Sequence, residues 1–202
     1  MLNSPSLVFF DLGGVVVDVD VDWAQTHWAE CTQLPRASFD ALFFESGIKD
    51  ALDRGTLSAA EGLAAISNRA AHPVSTDTAR ACFNRMLRVR PAVIELIESL
   101  TTKTRLAVIS NTDPIHAAWI QENSGILPWV ESWTFSFETG AMKPDPALLI
   151  TALERVDCRP EQTLLIDDRS DNIASARSIG MRTIHYTHLD AVRTRLHEEG
   201  LL

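Results

Sequence analysis

The sequence predicts an α/β protein: a doubly wound, Rossmann-like parallel sheet with an α-helical cap inserted near its start. Three observations predict it. From residue 105 onward, short apolar runs alternate with helix-period segments, the rhythm of right-handed βαβ units. Residues 20–88 show no convincing strand, and their apolar positions recur at helical spacing. Two apolar runs, Val8-Phe9-Phe10-Asp11 and Leu164-Leu165-Ile166-Asp167-Asp168, each stop on acid. In a parallel sheet both would end on one edge, where open α/β folds bind ligands.

The elements follow in order. Residues 8–11 form the first strand. Residues 20–88 form the cap, with Phe39, Leu42 and Phe43, and then Leu63 and Ile66, at helical spacing. Pro35 and His72-Pro73 punctuate it, and Ser58 with Glu61 three residues on reads as a capping box. A helix over 91–100 returns the chain to the core, which comprises residues 1–19 and 89–202. Residues 105–110 form a strand and 114–122 a helix. Residues 132–137 alternate as a strand, with Trp133, Phe135 and Phe137 on one face. Asp145 is an N-cap with Pro146 at the first helical position, starting a helix that runs to about Val156. A strand over 163–168 precedes a helix over 172–179 closed by Gly180. A strand over 182–187 and a terminal helix ending near Gly200 complete the pattern. Inserted after the first strand, the cap hangs over the carboxyl edge of the sheet as a lid.

Composition narrows the class. Of 202 residues, 46% are hydrophobic, ample for a packed core and too many for a disordered chain. A net charge of −9 disfavours nucleic acid and anionic membrane as partners. Residues 1–6 lack the basic start and apolar stretch of a signal peptide, and no window approaches a membrane span. Cys31, Cys82 and Cys158 lie far apart in the chain without metal-ligand spacing, and their odd number suits a reducing compartment. The expectation is a soluble cytoplasmic protein, monomer or homodimer.

Four positions line up at or just beyond successive strand ends: Asp11, then Ser110 with Asn111 and Thr112, then Lys143, then Asp167-Asp168. Singly each has an ordinary role: Asp11 a turn residue, Ser110 the start of a helix cap, Lys143 a solvated loop lysine. The adjacent acids after Leu-Leu-Ile are costly beside a core unless paired. Together they are what phosphoryl transfer needs, because catalysis there is mainly positioning and charge neutralisation. Asp11 could attack phosphorus and form an aspartyl-phosphate. Lys143 and Ser110 would hold phosphate oxygens, and Mg²⁺ between Asp11 and Asp168 would screen like charges.

The stretches Phe10-Asp11-Leu12-Gly13-Gly14-Val15, Ser110-Asn111-Thr112, Lys143-Pro144 and Asp167-Asp168-Arg169-Ser170-Asp171-Asn172 resemble the four motifs of the haloacid dehalogenase-like hydrolases. The resemblance spans essentially the whole chain, and within that superfamily it is strongest to bacterial sugar phosphatases of the α-D-glucose-1-phosphate phosphatase type. It implies a Mg²⁺-dependent phosphatase acting on a small phosphorylated metabolite. By it, Asp11 is nucleophile and Mg²⁺ ligand, the carbonyl of Gly13 a second ligand, and Asp168 the main acidic ligand of the fourth motif. Ser110, Asn111 and Lys143 bind phosphate, and Asp167 and Asn172 support the metal from behind.

One position departs from the pattern. Most phosphatases of that superfamily carry an acid two residues after the nucleophile, and here that residue is Gly13. A carbonyl suffices for a metal but cannot protonate a leaving group, help that is typically worth about 10²–10⁴-fold. The gap favours substrates with acidic leaving groups, such as glycosyl-1-phosphates. Asp18, Asp20 or a cap residue are candidate substitutes, and Trp23, His27, Lys49, Asp53 and Arg54 are candidates to face substrate. Three alternatives stay open. A metal-independent 2-haloacid dehalogenase would also use Asp11 but would leave Asp167-Asp168 unexplained. A phosphorelay receiver has its acidic pair and acceptor in the reverse order. A weakened or non-catalytic homologue would bind phosphate without turnover.

Overall fold

In the computed structural model, residues 4–202 are described; the expectation for residues 1–6 therefore falls in part, at residues 1–3, outside the described residues. β1 (Leu7–Phe10), β4 (Arg105–Ser110), β5 (Ser132–Phe135), β6 (Thr163–Asp167) and β7 (Arg182–His185) form one parallel sheet in the order β5-β4-β1-β6-β7. The chain builds outward from β1 to one side, then returns to build on the other. Between β4 and β6 the order reverses, which opens a crevice at the carboxyl end of β1.

Strand periodicity explains why both faces are apolar. Leu7, Phe9, Ala107, Ile109 and Leu165 point to one side, where they pack against α9 (Pro146–Val156) and α10 (Ser170–Ser178). Val8, Phe10, Leu106, Val108, Leu164 and Ile166 point to the other. There they meet α6 (Pro91–Leu100), α7 (Pro114–Asn123) and α11 (Leu189–Glu198). A strand buried on both faces must read as a continuous apolar run, which is how Leu7-Val8-Phe9-Phe10 reads. The helix caps form as expected: Asp145 accepts from the Ala147 N–H at 2.9 Å, with Pro146 next.

Five helices lie between β1 and α6 in the sequence. They are α1 (Val21–Thr32), α2 (Ala37–Asp40), α3 (Ile48–Asp53), α4 (Ala59–Arg69) and α5 (Thr76–Asn84), with a π-turn over Ala41–Glu45. Their core is aromatic: Phe39 stacks on Phe43 at 4.3 Å between centroids, Phe43 on Phe83 at 4.8 Å, and Trp28 meets Phe43 edge-on. The Ser58 capping box closes in both directions, with Ser58 N–H on Glu61 and Glu61 N–H on Ser58 Oγ.

Two expectations are corrected. The segment before residue 88 does hold a strand: β3 (Leu87–Val89) pairs antiparallel with β2 (Val17–Val19) as a ribbon at the foot of the helices. Three-residue strands are too short for periodicity to show. The strand expected over 132–137 stops at Phe135, and α8 (Ser136–Thr139) follows. Ser136 Oγ accepts from the Thr112 N–H and donates to the Thr112 carbonyl, which turns the chain toward the neighbouring strand end. Gly140, with φ of 73°, then closes the turn. The rings of Phe135 and Phe137 still stack at 5.4 Å.

Candidate active site

Asp11 is the first residue beyond β1, and its N–H continues the sheet by donating to the Ile166 carbonyl. The carboxylate is buried, and its Oδ1 accepts from the Leu12 N–H at 2.7 Å. Lys143 reaches it from the loop after α8, with Nζ at 3.0 Å from Asp11 Oδ1 and 2.7 Å from Asp167 Oδ2. The same ammonium donates to the Ile109 carbonyl at 2.9 Å. One buried cation is thereby clamped between two buried acids from neighbouring strands, the arrangement that makes such charges tolerable.

Asn111 explains how Lys143 is aimed. Its Nδ2 donates to the Lys143 carbonyl at 2.7 Å, and its Oδ1 accepts from the Lys143 N–H at 2.8 Å. Both ends of the amide are thus used on the lysine backbone, so Asn111 braces Lys143 while still lining the cleft. Ser110 ends β4 and is buried. Asp167 is fully enclosed: besides Lys143, it accepts from Asn172 Nδ2 at 2.9 and 3.1 Å and from the Arg169 N–H at 2.9 Å. Asp168 is the exposed member of the group, and ligand oxygens of Asp11, Asp167 and Asp168 lie within 4.8 Å of one another.

The electrostatics follow from this packing. Burial pushes the Asp11 carboxyl up to about 6, with Asp167 adding to the shift, while Lys143 and the Leu12 N–H oppose it. Burial alone would lower Lys143, but Asp11 and Asp167 outweigh it and hold the ammonium above the ordinary lysine range. Asp168 is raised, by partial burial first and by Asp167 second. Three carboxylates with a cationic partner for only two of them fit a hard divalent cation, which takes oxygen ligands and relieves the repulsion. The backbone makes room beside Asp168: a Cβ on Gly14, whose φ is 77°, would stand 2.1 Å from Asp168 Oδ2. That position needs glycine for both reasons.

The cleft at this edge has a volume of about 900 Å³. Its wall opposite the sheet comes from the start of α1, including Asp20, Asp22 and Trp23. Of the cap candidates, Trp23 therefore borders the cleft. His27 lies elsewhere, and exposed Arg54 pairs with Asp50. Lys49 binds Asp53 at 2.5 Å and approaches fully buried Asp113 of α7's N-cap at 3.4 Å. Burial would raise Asp113, but His116 at 2.8 Å and Lys49 hold it well below the usual carboxylate range. This cluster joins helices 21–84 to the core.

Arg90 also borders the cleft, and sequence reasoning missed it. Its Nε donates to Asp18 at 2.7 Å, its Nη1 donates to the Gly14 carbonyl, and the guanidinium lies over the Tyr186 ring. No motif marks it; its one local signal is Pro91 directly after it, which places it at a helix start. Asp18 is held by this arginine, and Asp20 caps α1 by accepting from the Asp22 N–H.

The chain belongs to the haloacid dehalogenase-like hydrolases: the model of that family matches residues 5–180. It is similar to a D-ribitol-5-phosphate phosphatase of Bacteroides thetaiotaomicron, 24% identical over 183 residues that cover 87% of this chain and 89% of the relative. It also resembles a phosphorylated carbohydrates phosphatase of Thermotoga maritima, 25% identical over 104 residues, about half of each chain. Among solved structures, it superposes on a haloacid dehalogenase family enzyme of B. thetaiotaomicron in complex with magnesium and inorganic phosphate. The TM-score is 0.80 at 23% identity, covering 90% of this chain and 93% of that one. An L-2-haloacid dehalogenase of Xanthobacter autotrophicus superposes less closely, at a TM-score of 0.66 and 15% identity over 98% and 84% of the two chains. These structural likenesses show the fold. No helix of the described residues is long and apolar enough to cross a membrane.

Proposed function

We propose that this protein is a Mg²⁺-dependent phosphatase of phosphorylated carbohydrates that works through an aspartyl-phosphate on Asp11. The observation that carries the reading is the convergence of Asp11, Lys143 and Asp168 on one cleft, with Asp167 buried behind them against Lys143. The names of the phosphatase relatives support the substrate class. A metal-free dehalogenase would leave the exposed Asp168 beside two buried acids without a task.

An Asp11 carboxylate oxygen attacks phosphorus, the P–O bond to the sugar breaks with its electron pair on the departing oxygen, and that oxygen takes a proton from water. Water then attacks the acyl-phosphate, releasing phosphate and restoring Asp11. Lys143, fixed by Asn111 and Asp167, presents its charge to the phosphate oxygens as they gather charge in the transition state. Ser110 adds a hydroxyl to the same oxygens. Asp11, the Gly13 carbonyl and Asp168 would hold Mg²⁺, with Asp167 and Asn172 fixing the acids from behind. Bound there, the ion offsets repulsion between the attacking carboxylate and the phosphate. Residues 20–88 act as the lid over the cleft, and Trp23 on its wall shapes the space for the sugar.

Asp168→Asn should raise the Mg²⁺ concentration needed for half-maximal phosphate release, by more than the roughly 10–100-fold typical of a supporting partner. Asp167→Asn should shift it less. Equal metal dependence of Asp168→Asn and wild type would remove Asp168 from the ligand set.

Within the carbohydrate class, Gly13 favours acidic leaving groups such as the anomeric oxygen of a glycosyl-1-phosphate. Neither Asp18, bound to Arg90, nor Asp20, capping α1, is free to replace the missing acid. Gly13 does not have the left-handed backbone of Gly14, and a Cβ there would meet nothing nearer than Val19 Cγ2 at 3.5 Å. Gly13→Asp should therefore fold. It should raise hydrolysis of 5- and 6-phosphates relative to 1-phosphates, by at most about 10²–10⁴-fold. An unchanged ranking in a variant with wild-type melting temperature would show that leaving-group acidity does not set the preference.

A further inference from the structure

Away from the cleft, three soft donors meet between two cap helices. His27 and Cys31 stand one turn apart on α1, and Cys82 comes from α5, which packs against it. Cysteines distant in the chain are thus close in space. One ligand atom from each residue lies within 4.8 Å of the others. Cys31 Sγ is 3.5 Å from His27 Nε2. With metal–sulfur and metal–nitrogen bonds of about 2.3 and 2.0–2.1 Å, the S···N edge of a tetrahedral zinc site is roughly 3.6 Å. The other ring nitrogen, Nδ1, lies 3.8 Å from the same sulfur and 3.9 Å from Glu30 Oε2, a carboxylate near enough to orient a metal-bound imidazole.

We propose that His27, Cys31 and Cys82 form a binding site for Zn²⁺ or a similar thiolate-seeking divalent ion, separate from the oxygen-only centre at Asp11. Two sulfurs and an imidazole select zinc over magnesium, as carboxylates do the reverse. Cys82 is fully buried and Cys31 exposed, so the deep ligand stands behind the ion and the fourth position opens to water. The ion would tie α1 to α5. Because the first turn of α1 carries Asp22 and Trp23 into the cleft wall, it would also stiffen that wall.

The test is a Co²⁺ titration of the full chain, stripped of metal and kept reduced. A thiolate-to-cobalt charge-transfer band should grow to one equivalent, with visible bands of tetrahedral intensity. Zn²⁺ should abolish it and Mg²⁺ should not. His27→Ala and Cys31→Ser, both on the solvent side, should each weaken binding at least about 10-fold, whereas Asp168→Asn should leave the band intact. Oxygen ligands give no such band, so cobalt at the Asp11 centre is silent, and the outcome is independent of phosphatase activity. Absence of the band in reduced wild type would overturn the site, as would an undiminished band in Cys31→Ser.

Discussion

Asp11→Asn should leave a folded protein whose turnover of any phosphomonoester has fallen by on the order of 10⁴–10⁶-fold, the scale of losing a covalent nucleophile. The change is nearly isosteric, and Oδ1 can still accept from the Leu12 N–H. It removes one of the two negative charges flanking Lys143, and Asp167 still pairs with that ammonium. A melting temperature near wild type with activity at background is the expected pair of results. Wild-type protein with beryllium fluoride and Mg²⁺ should show an acyl-phosphate mimic on Asp11 and the variant none. Turnover within 10-fold of wild type in the variant would end the assignment. The same carboxyl sets a pH limb. Protonated Asp11 is no nucleophile, so kcat/KM should fall as pH drops through about 6, where burial holds this group. Magnesium on that carboxylate opposes protonation, so the limb should move to lower pH as the metal concentration rises.

What the sequence made legible, and what it hid, divides along chain distance. The placement of Asp11, Ser110, Lys143 and Asp167 was readable because each ends a strand or stands shortly beyond one, and a parallel sheet gathers such ends at one edge. Capping residues Ser58 and Asp145 were readable because a cap acts within three residues. The β2–β3 ribbon was not, since its strands are short and far apart in the chain. Arg90 was hidden for the same reason: its partners Asp18, Gly14 and Tyr186 come from distant stretches. The resemblance of Ser110-Asn111-Thr112 to the family's second motif implies that Asn111 is a phosphate ligand. That its amide closes on the Lys143 backbone depends on loop geometry that no local pattern encodes. His27, Cys31 and Cys82 show the rule most plainly, since only the packing of α1 on α5 brings the third residue to the other two.

Lys143→Met should be the most damaging single change for stability and one of the most damaging for chemistry. The substitution keeps the length of the stem and deletes the ammonium, leaving Asp11 and Asp167 buried without their shared cation. Breaking a buried pair by removing one partner costs about 3–5 kcal/mol, because the remaining charge is left uncompensated. The Ile109 carbonyl also loses a donor. Mg²⁺ recovers part of that stability by supplying positive charge at the same acids, so the variant's melting temperature should rise more with Mg²⁺ than that of wild type. Turnover should not recover with it. In the mechanism proposed, the ammonium acts on the phosphate as charge builds in the transition state, so kcat should fall by roughly 10²–10³-fold. Adding Asp167→Asn separates the two effects: the double variant removes the second orphaned carboxylate and should regain stability while its kcat stays low. If instead kcat returned with stability, Lys143 would act only by neutralising the buried acids. If only KM rose, its charge would serve ground-state binding alone.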